Sequence, residues 1–135
     1  MKLDIRDIFE QIGNLFYAIA IEQQVKPIEL GELKLLITRN WLPRNIETNG
    51  SIISDEAHFI LTTMDALAAS KSPAQLAFGE FARFYKLHQN IFSNELKQRI
   101  LDTATEITNV FSRSGSSDHS ILKALKDLLE SVTKL

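Results

Sequence analysis

The chain has 135 residues, of which 44% are apolar, and its 15 Lys and Arg against 17 Asp and Glu leave a net charge of -2. That length can bury a core without disulfides or a structural metal, and the composition excludes disorder. Neither sign of charge gathers into a block, so the sequence offers no clustered cations that would bind nucleic acid. We therefore expect one globular domain, residues 1–135, that binds no nucleic acid.

The sequence contains no cysteine, which excludes disulfides, thiolate zinc sites and cysteine nucleophiles. The amino-terminal stretch carries acids where a signal peptide has an uninterrupted apolar core. No apolar run is long enough to cross a membrane as a helix. The sequence thus predicts a cytoplasmic protein with no transmembrane segment.

Apolar residues recur at three- and four-residue steps over most of the chain, which predicts helices. The first helix is expected from about Asp4 to a polar break at 22–26. Pro27 follows the break, and its fixed φ and missing N–H suit the first position of a second helix. That helix is expected to run to about Trp41, because Pro43 cannot continue it.

A loop and two helices are predicted in the middle of the chain. The loop at 42–53 is rich in Pro, Asn and Gly, and Ser54 is the candidate N-cap of the third helix. Ser72 and Gln75 have the S-x-x-Q spacing of a capping box at the start of the fourth helix. This aromatic helix is expected to run to about Asn90.

Two further helices complete the predicted fold. Ser93 is the candidate cap of the fifth helix, which ends at a polar break at 112–118. The sixth helix, from Ile121 to Val132, has the cleanest apolar periodicity. No β-branched run alternates with period two, so no strand is expected. The predicted fold class is all-α, a compact bundle of about six helices.

The unit of helix, polar break and helix at the start of the chain has a counterpart at its end. In both units the second helix begins about six to eight residues after the first one ends, a common length for a helix–helix connection. Two interpretations stay open. The chain consists of two pseudo-symmetric halves produced by duplication, or two such pairs occur as they do in any helical protein.

The stretch at 17–36 reads YAIAIEQQVKPIELGELKLL. It resembles the TerB-like (tellurite-resistance) family, in which an apolar helix ends in A-x-A-D-G and a short loop with an aliphatic residue leads to a helix bearing Glu. The residues in the matching places are Ala18, Ala20, Val25, Pro27 and Glu29. Glu22 stands where the family has Asp, and Gln23 stands where it has Gly. The stretch at 107–129 looks like a second, more divergent copy.

The resemblance implies an all-helical, noncatalytic domain with a role in bacterial stress response and tellurite resistance, and helix-end carboxylates that bind a divalent cation. Calcium takes about six to eight oxygen ligands. The candidate metal ligands near the break are Glu22, Glu29 and Glu32, and Lys26 adds a positive charge among them. We therefore expect a cation site that is degenerate or lost, with no cofactor or a weakly bound calcium ion.

The alternative hypothesis is an interaction module that binds a protein partner or forms a homodimer through apolar residues of the second or fourth helix. The candidate interaction residues are Ile28, Leu35, Trp41 and Phe78. A helical enzyme with a small-molecule pocket is a third hypothesis, but no paired acid and base can be identified, so an enzyme is not expected. His88 lies in the apolar stripe of the fourth helix, which favours a packed histidine over a catalytic one.

Overall fold

A computed structural model describes residues 5–41, 55–111 and 120–131. Within these ranges the chain forms six α-helices, two 3₁₀ turns and no strand, which confirms the predicted all-α bundle. The α-helices are α1 (Ile5–Glu22), α2 (Leu30–Asn40), α3 (Asp55–Ser70), α4 (Ala74–Leu87), α5 (Asn94–Phe111) and α6 (Ser120–Ser131). The 3₁₀ turns are Pro27–Glu29, directly before α2, and Gln89–Ile91, directly after α4.

Two of the predicted helix starts are confirmed. Pro27 begins the helical segment after the break, although its first turn is 3₁₀ rather than α. Ser93 caps α5, because its Oγ accepts a hydrogen bond of 3.1 Å from the N–H of Leu96. The predicted cap at Ser54 lies outside the described residues.

The predicted capping box at the start of α4 is wrong. Pro73 is the N-cap residue of this helix, and no side chain caps it. Ser72 lies one position too early, and its Oγ shares a hydrogen bond of 2.9 Å with Oγ of Ser70. The helix also ends earlier than expected, at Leu87, because the chain tightens there into the second 3₁₀ turn.

The centre of the bundle is α1, which packs mainly against α3 and α4 and also contacts α5 and α6. The exposed and partly exposed polar residues of α1 lie before Leu15, apart from Glu22 at its end. From Leu15 to Ala20 every residue is buried, so this part is apolar all round, as a helix surrounded by other helices must be. The buried part of α1 is therefore followed, after Ile21, by the polar break at 22–26.

Trp41 was predicted to lie on an interaction surface, and this prediction is wrong because the residue is fully buried. Its ring centroid lies 5.9 Å from that of Phe9 and 6.1 Å from that of Phe16. The indole Nε1–H donates a 3.0 Å hydrogen bond to Oγ1 of Thr103, and the guanidinium carbon of Arg99 lies 4.4 Å from the ring centroid. The side chain thus joins α1, α2 and α5 in the core, with its polar atom satisfied.

The two helix pairs at the ends of the chain pack in a crossed arrangement. α2 contacts α5, and α6 contacts α1, so the second helix of each pair lies on the first helix of the other. Two pseudo-symmetric halves would make this exchange of contacts. The duplication itself stays a prediction.

Candidate functional site

The break between α1 and α2 is a hydrogen-bonded helix end. The N–H of Val25 donates to the carbonyl of Ala20 at 3.1 Å, and the N–H of Gln24 donates to the carbonyl of Ile21 at 3.0 Å. This is the Schellman pattern, in which the residue after the helix takes a left-handed conformation. Gln24 has a φ of 57°, which costs about 1 kcal/mol for a residue other than glycine. The positive φ thus falls at Gln24 and not at Gln23, where the family resemblance places its glycine.

Glu22, one of the three predicted calcium ligands, contacts the start of α6. One carboxylate oxygen accepts a hydrogen bond from the hydroxyl of Ser120. The other accepts a 3.1 Å hydrogen bond from the N–H of Ile121. A carboxylate at this position satisfies N–H groups that have no partner within the helix, and the helix dipole favours its charge. Glu22 therefore caps α6 from a distant part of the sequence.

The other two predicted ligands have different surroundings. Oε1 of Glu29 accepts a 2.8 Å hydrogen bond from the N–H of Lys26 and so caps the first 3₁₀ turn. Glu32 is exposed on α2. Among the described residues, no three Asp, Glu or His side chains come close enough to hold a metal ion. The structure thus does not bring Glu22, Glu29 and Glu32 together, and calcium binding stays a prediction.

An apolar hole opens where α1, α2 and α3 meet beside the break, and its volume is about 90 Å³. Its main apolar lining comes from Ala20, Ile21, Val25, Leu30, Leu33 and Met64. Lys34 and Asp65 also line it, and they form an ion pair with an N–O distance of 3.4 Å. Both charged side chains are about half exposed, so they form the rim, and Ala68 is a further exposed residue of the lining.

Large apolar side chains are exposed within residues 21–35, the segment that supplies part of the lining of this hole. Ile28 in the first 3₁₀ turn is 90% exposed, and Leu35 on the outer face of α2 is 69% exposed. Ile21 and Leu30, which line the hole, are nearly half exposed. We call these four residues the α1–α2 edge. Ile28 and Leu35 are therefore accessible, as a contact surface requires, while the contact itself stays a prediction.

Phe78 and His88, both on or next to α4, are less accessible. Phe78 is half-buried, packs against the core and lines a shallow groove with Ala124 and Leu128 of α6. His88 is half-buried, and its ring centroid lies 4.7 Å from that of Phe84. These surroundings are those of packed aromatic residues.

The sequence did not reveal the hole, because its walls come from three helices that are separate in the sequence. One signal was present. Ile21 and Ile28 lie outside the apolar stripes of their helices and flank the polar break, where a buried role is not expected. Apolar residues at such positions are candidates for a surface contact.

No protein-family model, no curated protein and no solved structure matches this chain. The resemblance to the TerB-like family therefore depends on the sequence at 17–36 and 107–129 and stays a prediction. The function has to be argued from the α1–α2 edge and the hole beside it. In the described ranges, no helix has the length and apolar character needed to cross a membrane.

Proposed function

We propose that this protein is a noncatalytic helical domain that binds another protein through the α1–α2 edge. The observation that supports this most directly is the 90% exposure of Ile28. An aliphatic side chain left in water forgoes about 1.5–3 kcal/mol that burial would contribute. Four such side chains within residues 21–35, beside an open hole, form the kind of patch that marks a protein interaction site.

The chemistry of the hole favours binding over proton transfer. Of the described residues, the titratable ones that line it are Tyr17, Lys34 and Asp65. The hydroxyl of Tyr17 donates a 2.6 Å hydrogen bond to the carbonyl of Ser72, and burial raises the pKa of this phenol, so it stays neutral. Lys34 and Asp65 neutralise each other. The hole is therefore suited to receive an apolar group.

Site-specific photo-crosslinking tests this proposal in the living host. A photoreactive amino acid replaces Ile28 in one variant and Leu87 in a control variant, since Leu87 is a comparably exposed aliphatic residue on α4. We expect a covalent adduct of defined mass from position 28 and none from position 87. Adding Leu35→Glu to the first variant should abolish the adduct. Equal adducts from both positions, or none from either, would contradict the proposal.

A second candidate function is the stress-response role of a TerB-like domain with a degenerate or lost cation site. It is supported by the motif at 17–36 and by the crossed contacts of the two helix pairs. Titration with calcium while the thermal midpoint is followed tests the cation site, because a ligand that prefers the native state raises stability. A rise that Glu29→Gln and Glu32→Gln abolish would establish the site. An unchanged midpoint at millimolar calcium would remove it.

A further inference from the structure

We infer that the partner of the α1–α2 edge is a second copy of this chain, and that Ile28 of each copy enters the apolar hole of the other. This inference rests on the proposed function, because it names the occupant of the same surface. Three observations support it. They are the size of the hole, the position of Ile28 beside it and the charges around both.

The size of the hole selects a single aliphatic side chain as its occupant. Small-molecule sites usually have volumes of about 300–1,000 Å³, whereas this hole has about 90 Å³. A cavity of about 150 Å³ takes up benzene, which has six carbon atoms. At the same volume per carbon atom, the hole has room for about four carbon atoms. The side chain of isoleucine is a four-carbon group, and an aliphatic anchor in a pocket is a common centre of a protein interface.

The position of Ile28 makes it the best candidate anchor among the exposed aliphatic residues. Of the described aliphatic residues it is the most exposed, and it lies two positions before Leu30, which lines the hole. The anchor and the hole thus belong to the same edge of the molecule. When a two-fold axis relates two copies, each Ile28 can therefore contact the hole of the other copy, which gives two identical contacts. Leu76 and Leu87 are exposed on a different helix, α4. If Leu76 or Leu87 of one copy entered the hole of another, the first copy would still have a free hole and the second a free leucine. Further copies could then add at both ends, which gives an open chain of copies instead of a closed dimer.

The charges around anchor and hole are compatible with this arrangement. Ile28 is flanked by Lys26 and Glu29, one cation and one acid. The rim of the hole likewise carries one cation and one acid, Lys34 and Asp65. Anchor and rim each carry one charge of each sign, so contact between two copies brings no excess of like charge together. The net charge of -2 per chain adds little long-range repulsion between copies.

Cysteine cross-linking tests the inference on the purified chain, which has no cysteine of its own. Ile28→Cys and Ala68→Cys both change exposed positions, and each variant is oxidised alone and in an equal mixture. We expect disulfide-linked dimers mainly in the mixture, because only there does a thiol at the anchor meet a thiol at the hole. Cross-linking of Ile28→Cys alone, as fast as in the mixture, would overturn the insertion. No cross-linking in any sample would overturn the second copy as partner.

The outcome separates this inference from the proposed function. A photo-adduct at position 28 with a mass other than that of a second copy, together with failed cysteine cross-linking, keeps the proposed function and overturns the inference. Absence of both products overturns both.

Filling or emptying the contact supplies an independent readout. Ala68→Leu fills the hole from its exposed rim, and Ile28→Ala removes the anchor; we expect each to weaken dimerisation at least about tenfold. Leu87→Ala is the matched control and should leave the dimerisation constant unchanged. The fluorescence of Trp41, the only tryptophan, shows that each variant is folded. Dimerisation of Ala68→Leu at the wild-type level would show that the hole is not the contact.

Discussion

Two buried tyrosines, Tyr17 and Tyr85, differ in what their hydroxyl groups contact. The hydroxyl of Tyr17 donates to the carbonyl of Ser72 at 2.6 Å and so ties α1 to the connection between α3 and α4. The hydroxyl of Tyr85 is buried with no hydrogen-bond partner among the described residues. Burial raises the pKa of both phenols, so both stay neutral at physiological pH.

Removing the two hydroxyl groups should therefore have different effects on stability. Tyr17→Phe should lower the free energy of unfolding by about 1 kcal/mol, because it deletes a hydrogen bond and leaves a carbonyl unpaired. Tyr85→Phe should leave this free energy unchanged or raise it, because it removes a buried polar atom that has no partner. Urea denaturation followed by tryptophan fluorescence measures both. A larger loss for Tyr85→Phe than for Tyr17→Phe would contradict this description of the core.

Glu22 should stabilise the protein through α6. Glu22→Ala and Ser120→Ala should each lower the free energy of unfolding by about 0.5–2 kcal/mol, the range measured for loss of a helix cap. Since the two side chains share one hydrogen bond, the double variant should lose less than the sum of the single losses. Glu32→Ala, at an exposed site, is the control and should change little. Strictly additive losses would refute the hydrogen bond between Glu22 and Ser120, and an unchanged stability of Glu22→Ala would refute the cap.

At the scale of helices, α1 and α3 cross where Gly13 allows close approach. A Cβ atom on Gly13 would lie 2.8 Å from the carbonyl oxygen of Ile60 and 2.9 Å from Cβ of Thr63. Nothing lies within 4 Å of such an atom on Gly79 of α4. The two glycines are thus a matched pair, one at a helix crossing and one in open space.

Alanine at these two positions should have opposite effects on stability. Gly13→Ala should lower the free energy of unfolding by about 1–3 kcal/mol, because backbone atoms of α3 must move away. Gly79→Ala should raise it by up to about 1 kcal/mol, the difference in helix propensity. Thermal or urea unfolding of both variants is the measurement. A stabilising effect of Gly13→Ala would show that α1 and α3 are further apart than described.

Local patterns were enough to predict the helices, because caps and apolar stripes act over a few residues, as Pro27 and Ser93 show. The same patterns failed where tertiary contacts decide. Ser72 has the spacing of a helix cap, yet in the fold its carbonyl accepts the hydrogen bond from the hydroxyl of Tyr17. Trp41 lies at the end of α2, two positions before Pro43 in the sequence, yet its side chain is buried in the core. The hole was missed for the same reason, since three helices must meet to form it.

In the whole molecule, α1 leads from the buried centre of the bundle to the accessible α1–α2 edge. The half of α1 from Leu15 to Ala20 is surrounded by other helices. The chain then leaves the core at the break, where Ile21, Ile28, Leu30 and Leu35 remain in contact with water. Among the described residues, the stretch that carries the family resemblance therefore also holds four of the seven exposed large apolar side chains, and we expect it to be covered in the functional assembly.

Sedimentation equilibrium over a concentration series tests whether two copies of the chain associate through the α1–α2 edge. The wild-type chain should show an average mass that rises from 15.3 kDa towards twice that value with concentration. Ile28→Asp should remain at the monomer mass, because it places a charge at the anchor, and Leu87→Asp should behave as the wild type does. A wild-type mass that stays at 15.3 kDa at every concentration, or equal dimerisation of Ile28→Asp and wild type, would contradict association through this edge.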